Sequence, residues 1–229
     1  FRRREASTGD SMVLLNRGGR FERRPLPIEA QMAPVFGVAV ADFDGDGRED
    51  LALAQNFFGV EPETSRFDAG RGLILTGVGD GSFRPIDGTR SGVIVWGEQR
   101  AAAAADYDGD GRTDLAISQN RGATRLFRNT GGRPGLKVRL EGGADNPSAI
   151  GAQVRWGREG RFGPAREIHA GGGYGSQDSA ALVLASTEAP AILKVLWPGG
   201  VSTESALPEN AREVQVRREG ASAVLTVVR

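Results

Sequence analysis

The sequence predicts an all-β protein in two parts, a set of propeller-type blades followed by a compact sandwich-like domain. Three observations carry that reading. Glycine supplies 34 of the 229 residues and proline another 11, a turn-rich composition suited to many short strands. One aspartate-rich segment occurs twice at a fixed spacing. Beyond Pro134 the pattern changes to short apolar runs, several alternating with polar residues.

The repeat sets the first part. Residues 38–56 read VAVADFDGDGREDLALAQN and residues 102–120 read AAAADYDGDGRTDLAISQN, offset by 64 positions throughout. A turn element recurs between them: LLNRGGRF at 14–21, LTGVGDGSF at 75–83 and a partial copy, RLFRNTGG, at 125–132. Such alternation is the mark of one supersecondary unit repeated along the chain. Val38 to Ala41 and Leu51 to Ala54 are expected as strands around the first loop. Leu73 to Leu75 and Phe83 to Ile86 are expected around the Gly-Asp-Gly turn, and Val93 to Trp96 as a strand leading to the second loop. Ala101 to Ala105 would favour a helix on propensity alone, but its repeat partner is the β-like VAVA. Phe57 to Gly72 shows no period and reads as a long loop inserted in a blade. Short strands at this spacing, separated by Gly/Asp turns, read as propeller blades.

The aspartate loops carry the chemistry. The first offers Asp42, Asp44, Asp46 and Asp50, the second Asp106, Asp108, Asp110 and Asp114, at loop positions 1, 3, 5 and 9. Alternating carboxylates can curl around a hard ion such as Ca²⁺, which takes six to eight oxygens. Glycine at position 6 allows the sharp turn that would aim the position-7 carbonyl inward, from Arg48 in one loop and Arg112 in the other. Four carboxylates so close repel one another without a cation, so a metal should order the loop. Mg²⁺ suits the site less well, because it prefers few carboxylates and retained waters. An EF-hand needs an acid at position 12 and flanking helices. Position 12 here is Leu53 or Ile117, within β-like flanks, and a dockerin repeat fails on the same grounds. The bland alternative is a solvated acidic turn, which two matching copies make a poorer account.

Composition excludes other classes. There is no cysteine, hence no thiolate zinc site, iron–sulfur cluster, disulfide or cysteine nucleophile. Net charge is zero with arginines scattered along the chain, Arg2 to Arg4, Arg23, Arg24, Arg217 and Arg218 among them, unlike the basic excess of nucleic-acid binders. No apolar run approaches the length of a membrane-spanning helix.

The second part is read as seven strands, LKVRL (136–140), AQVRW (152–156), AREIHA (165–170), ALVLA (181–185), ILKVLW (192–197), EVQVR (213–217) and AVLTVV (223–228), which suggest a sandwich or barrel-like domain. The division falls at 1–134 and 135–229. His169 is the only histidine, and a lone histidine is more often packed or solvated than catalytic. Ser176 sits in GYGSQ, which is not a nucleophile elbow. GGGYG at 171–175 lacks the Lys-Ser/Thr of a phosphate loop and reads as a tight turn or close backbone approach. Trp96, Trp156 and Trp197 are expected as core or interface anchors. Nothing in the sequence brings Glu98 and Glu167 together as an acid and base.

The loops resemble those of FG-GAP/VCBS repeats, the blades of integrin-α-type propellers, where the DxDxDGxxD loop joins two strands and holds Ca²⁺. Phe36-Gly37 resembles the FG element, which Arg100-Ala101 replaces in the second unit, and Gly79 to Phe83 resembles the family's GDGxF turn. Asn146 with Ile150-Gly151-Ala152, then Arg166-Glu167, Gly171 to Gln177 and Trp197-Pro198-Gly199-Gly200 resemble, in that order, the ASPIC/UnbV domain. That domain follows FG-GAP repeats in cartilage acidic protein-like proteins. Gly175 stands where the family has Leu, and Leu182 to Ala185 where it has HFGLG. The resemblance implies a non-catalytic Ca²⁺ protein, secreted, on the cell surface or periplasmic, that recognises a protein or glycan. The alternative is an accessory or catalytic part of a biosynthetic pathway. A closed propeller takes at least four blades, so the sequence is expected to be the C-terminal part of a longer chain.

Overall fold

A computed structural model describes residues 8–158, 160–185 and 191–228. The arginines Arg2 to Arg4 lie outside these residues. The chain is almost wholly β, with a single 3₁₀ turn at Ile28–Ala30 and one α-helical turn at Gly88–Ser91 among the described residues.

A hairpin of β1 (Met12–Asn16) and β2 (Phe21–Pro25) opens the chain. The next sheet is an antiparallel meander of β3 (Val35–Ala41), β4 (Asp50–Gln55), β5 (Leu73–Gly77) and β6 (Phe83–Ile86). A three-stranded meander repeats this plan with β7 (Glu98–Ala105), β8 (Asp114–Asn120) and β9 (Gly122–Phe127). Each aspartate loop is therefore the link between the first two strands of a blade. The residues between β4 and β5 form the expected insertion, closed by an isolated bridge between Phe57 and Phe67.

Strand β4 shows why the blades stack. All six of its residues are buried. Leu51 and Leu53 face one cluster with Leu73 and Leu75, while Ala52 and Ala54 face another with Ile74, Ala102, Ala104 and Ile117. Period-two alternation sends large side chains one way and small ones the other. The alanine faces let the blades approach closely. Gly37 marks the tightest point, since a Cβ there would lie 2.7 Å from Ala102 N and 2.8 Å from Arg100 O. The FG glycine is thus required by its neighbour strand.

Val93 to Trp96 is not a strand. Val95 N donates to Arg71 O at 2.7 Å and both valines are buried, but the strand begins at Glu98. The segment spends its side chains on the core without pairing along a ladder. Trp96 is 65% exposed, with the Arg71 guanidinium over its ring at 5.7 Å, so it is no core anchor. Trp156 and Trp197 are buried. Their indole N–H groups donate to Ala185 O at 3.0 Å and Thr203 Oγ1 at 2.8 Å.

The remaining strands form two sheets. One holds β10 (Leu136–Glu141), β14 (Leu182–Leu184), β17 (Glu213–Glu219) and β18 (Ser222–Val227), with β10 and β17 parallel. The other holds β11 (Gln153–Arg158), β12 (Arg161–Phe162), β13 (Arg166–Glu167), β15 (Ala191–Leu196) and β16 (Ser202–Leu207). Val138, Val214 and Val216 from the first meet Val154, Trp156, Leu193 and Val195 from the second in one core, the packing of a sandwich. Two expectations need correction. AREIHA forms only the two-residue β13, and STESAL, which is not among the seven expected strands, forms β16. Its polar residues fit because β16 is an edge strand that buries only Thr203 fully.

Candidate metal centres

Each aspartate loop is held by its own carboxylates. Asp42 Oδ1 accepts from Gly45 N at 2.7 Å and Asp46 N at 3.0 Å, and its Oδ2 accepts from Gly47 N at 2.8 Å. Asp106 repeats the pattern with Gly109 N at 2.8 Å and Gly111 N at 3.3 Å. Gly47 and Gly111 have φ of +90° and +82°, a conformation that a Cβ disfavours. The last aspartate locks the loop to the sheet. Asp50 accepts from Phe43 N and Gly77 N at 2.9 and 2.8 Å. Asp114 accepts from Tyr107 N and Asn129 N at 3.1 and 2.7 Å.

Two oxygen clusters result. Asp42, Asp44 and Asp50 each bring a carboxylate oxygen within 4.8 Å of the others, and so do Asp106, Asp108 and Asp114. The first and last of each trio are buried and the middle one is exposed, so each cluster is rooted in protein and open to solvent at one corner. At such separations, two like charges cost about 3–4 kcal/mol per pair at an effective dielectric near 20. That exceeds the roughly 1 kcal/mol net of an ordinary hydrogen bond. Burial pushes Asp50 up to about 6, despite its two N–H donors, with the charges of Asp44 and Asp42 adding to the rise. Burial likewise raises Asp114, helped by Asp108 and Asp110, and raises Asp44, helped by Asp46. The carboxylates thus resist being charged together, which is the strain a cation relieves. An oxygen-only set on a glycine-bent loop fits a hard divalent ion.

The other site residues of the sequence pattern sit differently. Asp46 pairs with Arg48 at 3.0 Å, and Asp110 with Arg112 at 2.9 Å. Neither belongs to the carboxylate trios. Burial acts upward on Asp110, but the Arg112 N–H and guanidinium, with Arg128 behind them, outweigh it and hold the carboxyl below its ordinary range. Arg48 and Arg112, read as carbonyl ligands, therefore also act through their side chains.

The sandwich domain reaches both loops, which sequence reasoning missed. Lys137 Nζ on β10 lies 3.0 Å from Asp106 Oδ2 and donates to Asp106 O at the same distance. Arg166 on β13 pairs with Glu49 at 2.6 Å, and its Nη2 lies 3.9 Å from Asp42 Oδ2. The signal available was small: Lys137 is one of two lysines, and Arg166 belongs to the Arg-Glu pair noted above.

The glycine-rich segment covers the open edges of the first strands. Gly173 bridges Gly37. Ala104 N donates to Asp178 Oδ1 at 2.7 Å, and Ser179 N donates to Ala104 O at 3.0 Å. Beside it lies a cleft of about 500 Å³ lined by Val38, Val40, Arg166, Glu167, His169 and Asp178 among others. Glu98 is taken up elsewhere, by Arg100, Asn120 and Phe58 N.

A repeated meander with an aspartate loop between its first two strands, followed by a separate sandwich, defines a propeller-blade repeat protein with an appended β-domain. Comparison with family models makes the class specific. The FG-GAP repeat matches residues 35–75 and 99–132, and the ASPIC and UnbV family matches 142–223. The chain therefore carries FG-GAP repeats followed by an ASPIC and UnbV domain. No curated protein matches it.

Proposed function

We propose that this is a non-catalytic, calcium-dependent recognition protein of the adhesion type, acting outside the cytoplasm on a protein or glycan partner. Calcium has a structural role in this reading. The observation that carries it is the convergence of three carboxylates in each loop, two of them buried. Asp50 also bonds the last residue of β5, and Asp114 bonds Asn129 just beyond β9. An ion at either trio would neutralise the repulsion and hold the first three strands in register. It would leave no part of the chemistry to the metal. Recognition then falls to surfaces the blades present. Among the described residues no helix is long and apolar enough to cross a membrane.

Calorimetric titration of the intact chain with Ca²⁺, beside thermal unfolding in EDTA, tests the metal claim. Ca²⁺ a hundredfold above its dissociation constant stabilises by about 2.7 kcal/mol per site. For a chain of this size that is a rise of roughly 5–10 °C. No binding heat and no change in melting would refute the reading.

The cleft beside β7 is the observation favouring a second reading, an enzyme or pathway accessory. His169 Nδ1 stands 3.6 Å from Glu167 Oε1, and Asp178 and Ser179 line the same cleft. The first reading is supported better. The His–Glu distance exceeds a hydrogen bond, and Asp178 is already bonded to Ala104 N. Loss of a bound small molecule on His169→Ala, read by native mass spectrometry, would favour the second.

A further inference from the structure

We propose that the two aspartate loops are unequal, and that Lys137 and Arg128 make the second the weaker Ca²⁺ site. This rests on the reading of both loops as calcium sites. Their sequences and carboxylate trios match, so a difference must come from what surrounds them.

The surroundings differ in charge. In the second loop every carboxylate before the last faces a cation. Lys137 pairs with Asp106 at 3.0 Å, Arg128 with Asp108 at 2.5 Å, and Arg112 with Asp110 at 2.9 Å. Arg128 also reaches Asp110 at 3.5 Å. In the first loop Arg48 pairs with Asp46 as Arg112 does with Asp110. Asp44 makes no ion pair among the described residues, and Arg133, whose N–H donates to Asp44 O at 3.0 Å, favours its charge only from beyond ion-pair distance. Arg166 is spent on Glu49, and its Nη2 is 3.9 Å from Asp42 without a hydrogen bond.

The register shows which residue makes the difference. Gly77 N donates to Asp50 and Asn129 N to Asp114, so these two residues are equivalent in their blades. The preceding residues are then equivalent as well, Thr76 in the first blade and Arg128 in the second. Thr76 Oγ1 donates to Arg84 O at 3.3 Å, away from its loop. Arg128 instead lies across the middle aspartate of the trio. Lys137 is the harder cation to displace. Its side chain is 11% exposed and that of Asp106 is 1% exposed, and the strand that carries it belongs to the sandwich core.

A dication entering the second loop must push these cations aside or sit beside them. One unit of positive charge a few ångströms away weakens binding about tenfold or more. The first loop therefore fills at the lower calcium concentration. The second keeps its shape in the absence of calcium better than the first.

Calorimetric titration of the intact chain with Ca²⁺ decides this, using Arg128→Thr, Thr76→Arg, Asp44→Ala and Asp108→Ala. Arg128→Thr installs the residue the first blade already uses at a half-exposed position, so folding is retained, and circular dichroism checks it. The expected result is two events about tenfold or more apart in Kd. Asp44→Ala removes the tighter event and Asp108→Ala the weaker. Arg128→Thr tightens the weaker event about tenfold and leaves the other alone. Thr76→Arg weakens the tighter one. Two equal sites, loss of the weaker event in Asp44→Ala, or no response to Arg128→Thr would overturn the proposal while leaving calcium binding intact. Absence of binding heat in the unaltered chain would overturn both.

Discussion

Asp50 accepts a hydrogen bond from Gly77 N at 2.8 Å, so the last carboxylate of the first loop is also a fastener for the third strand of its blade. Asp114 and Asn129 N repeat the contact at 2.7 Å. Loop order and strand register are therefore one property, and what neutralises these carboxylates also steadies the sheet.

Asp50→Ala would leave the N–H groups of Phe43 and Gly77 without their acceptor. A buried unsatisfied donor costs about 1–3 kcal/mol. The expected loss is about 2 kcal/mol or more by urea unfolding in EDTA. The added stability from calcium at the first loop should vanish as well. An unfolding midpoint equal to that of the unaltered chain would contradict the fastening role.

Asp50 also predicts a pH dependence of the calcium-free protein. Its carboxyl stands at about 6 in the fold against an ordinary 3.8. Between those values the native state holds a proton that the unfolded chain has released, so this group's contribution is full below about 4 and is lost as pH rises through about 6. Melting temperature in EDTA, compared with Asp50→Asn across pH 4–7, should show the excess falling with pH. In saturating calcium the ion keeps the carboxylate charged, so calcium-induced stabilisation should grow over the same interval. A difference between the two proteins that is flat with pH would count against the assignment.

Gly37→Ala places a methyl group against the backbone of β7, 2.7 Å from Ala102 N. Neither backbone can yield without disturbing a ladder. Overpacking of this kind costs about 1–3 kcal/mol, measurable by denaturant unfolding. Gly18→Ala is a poor control because its φ is +63°. Gly143→Ala, with open space around it, should cost far less.

Arg166→Met removes the sandwich domain's link to the first loop. Glu49 loses a partner at 2.6 Å, and Trp156 loses the guanidinium 5.1 Å from its ring centre. Breaking a largely buried pair of this kind costs about 3 kcal/mol. Proteolysis between Arg128 and Leu136 should accelerate. Unchanged cleavage would show that the link is dispensable.

The blades were legible in the sequence because the repeat fixed their register. Even Ala101 to Ala105, helical by propensity, was placed correctly by its partner VAVA. Val93 to Trp96 reads as a strand because burial of Val93 and Val95 imitates a strand pattern, while the ladder pairing that defines a strand is absent. Strand β16 is hidden for the opposite reason: Ser202 to Leu207 pairs along Ala191–Leu196 through its backbone and needs few apolar side chains. The spacing points to four carboxylates gathered in each loop, of which three converge. The positions of Asp46 and Asp110, turned to Arg48 and Arg112, do not follow from it, since a loop pattern cannot show which carboxylate a neighbouring cation captures. Nor could it show Lys137 and Arg166, which come to the loops only after the sandwich packs.

Amide hydrogen exchange of the intact chain in calcium and in EDTA tests the proposed structural role of calcium most directly. The account predicts slower exchange in calcium at Gly45, Gly47, Gly109 and Gly111, and also at Gly77 at the end of β5 and Asn129 just beyond the end of β9. Equal exchange at these amides in the two conditions would contradict it.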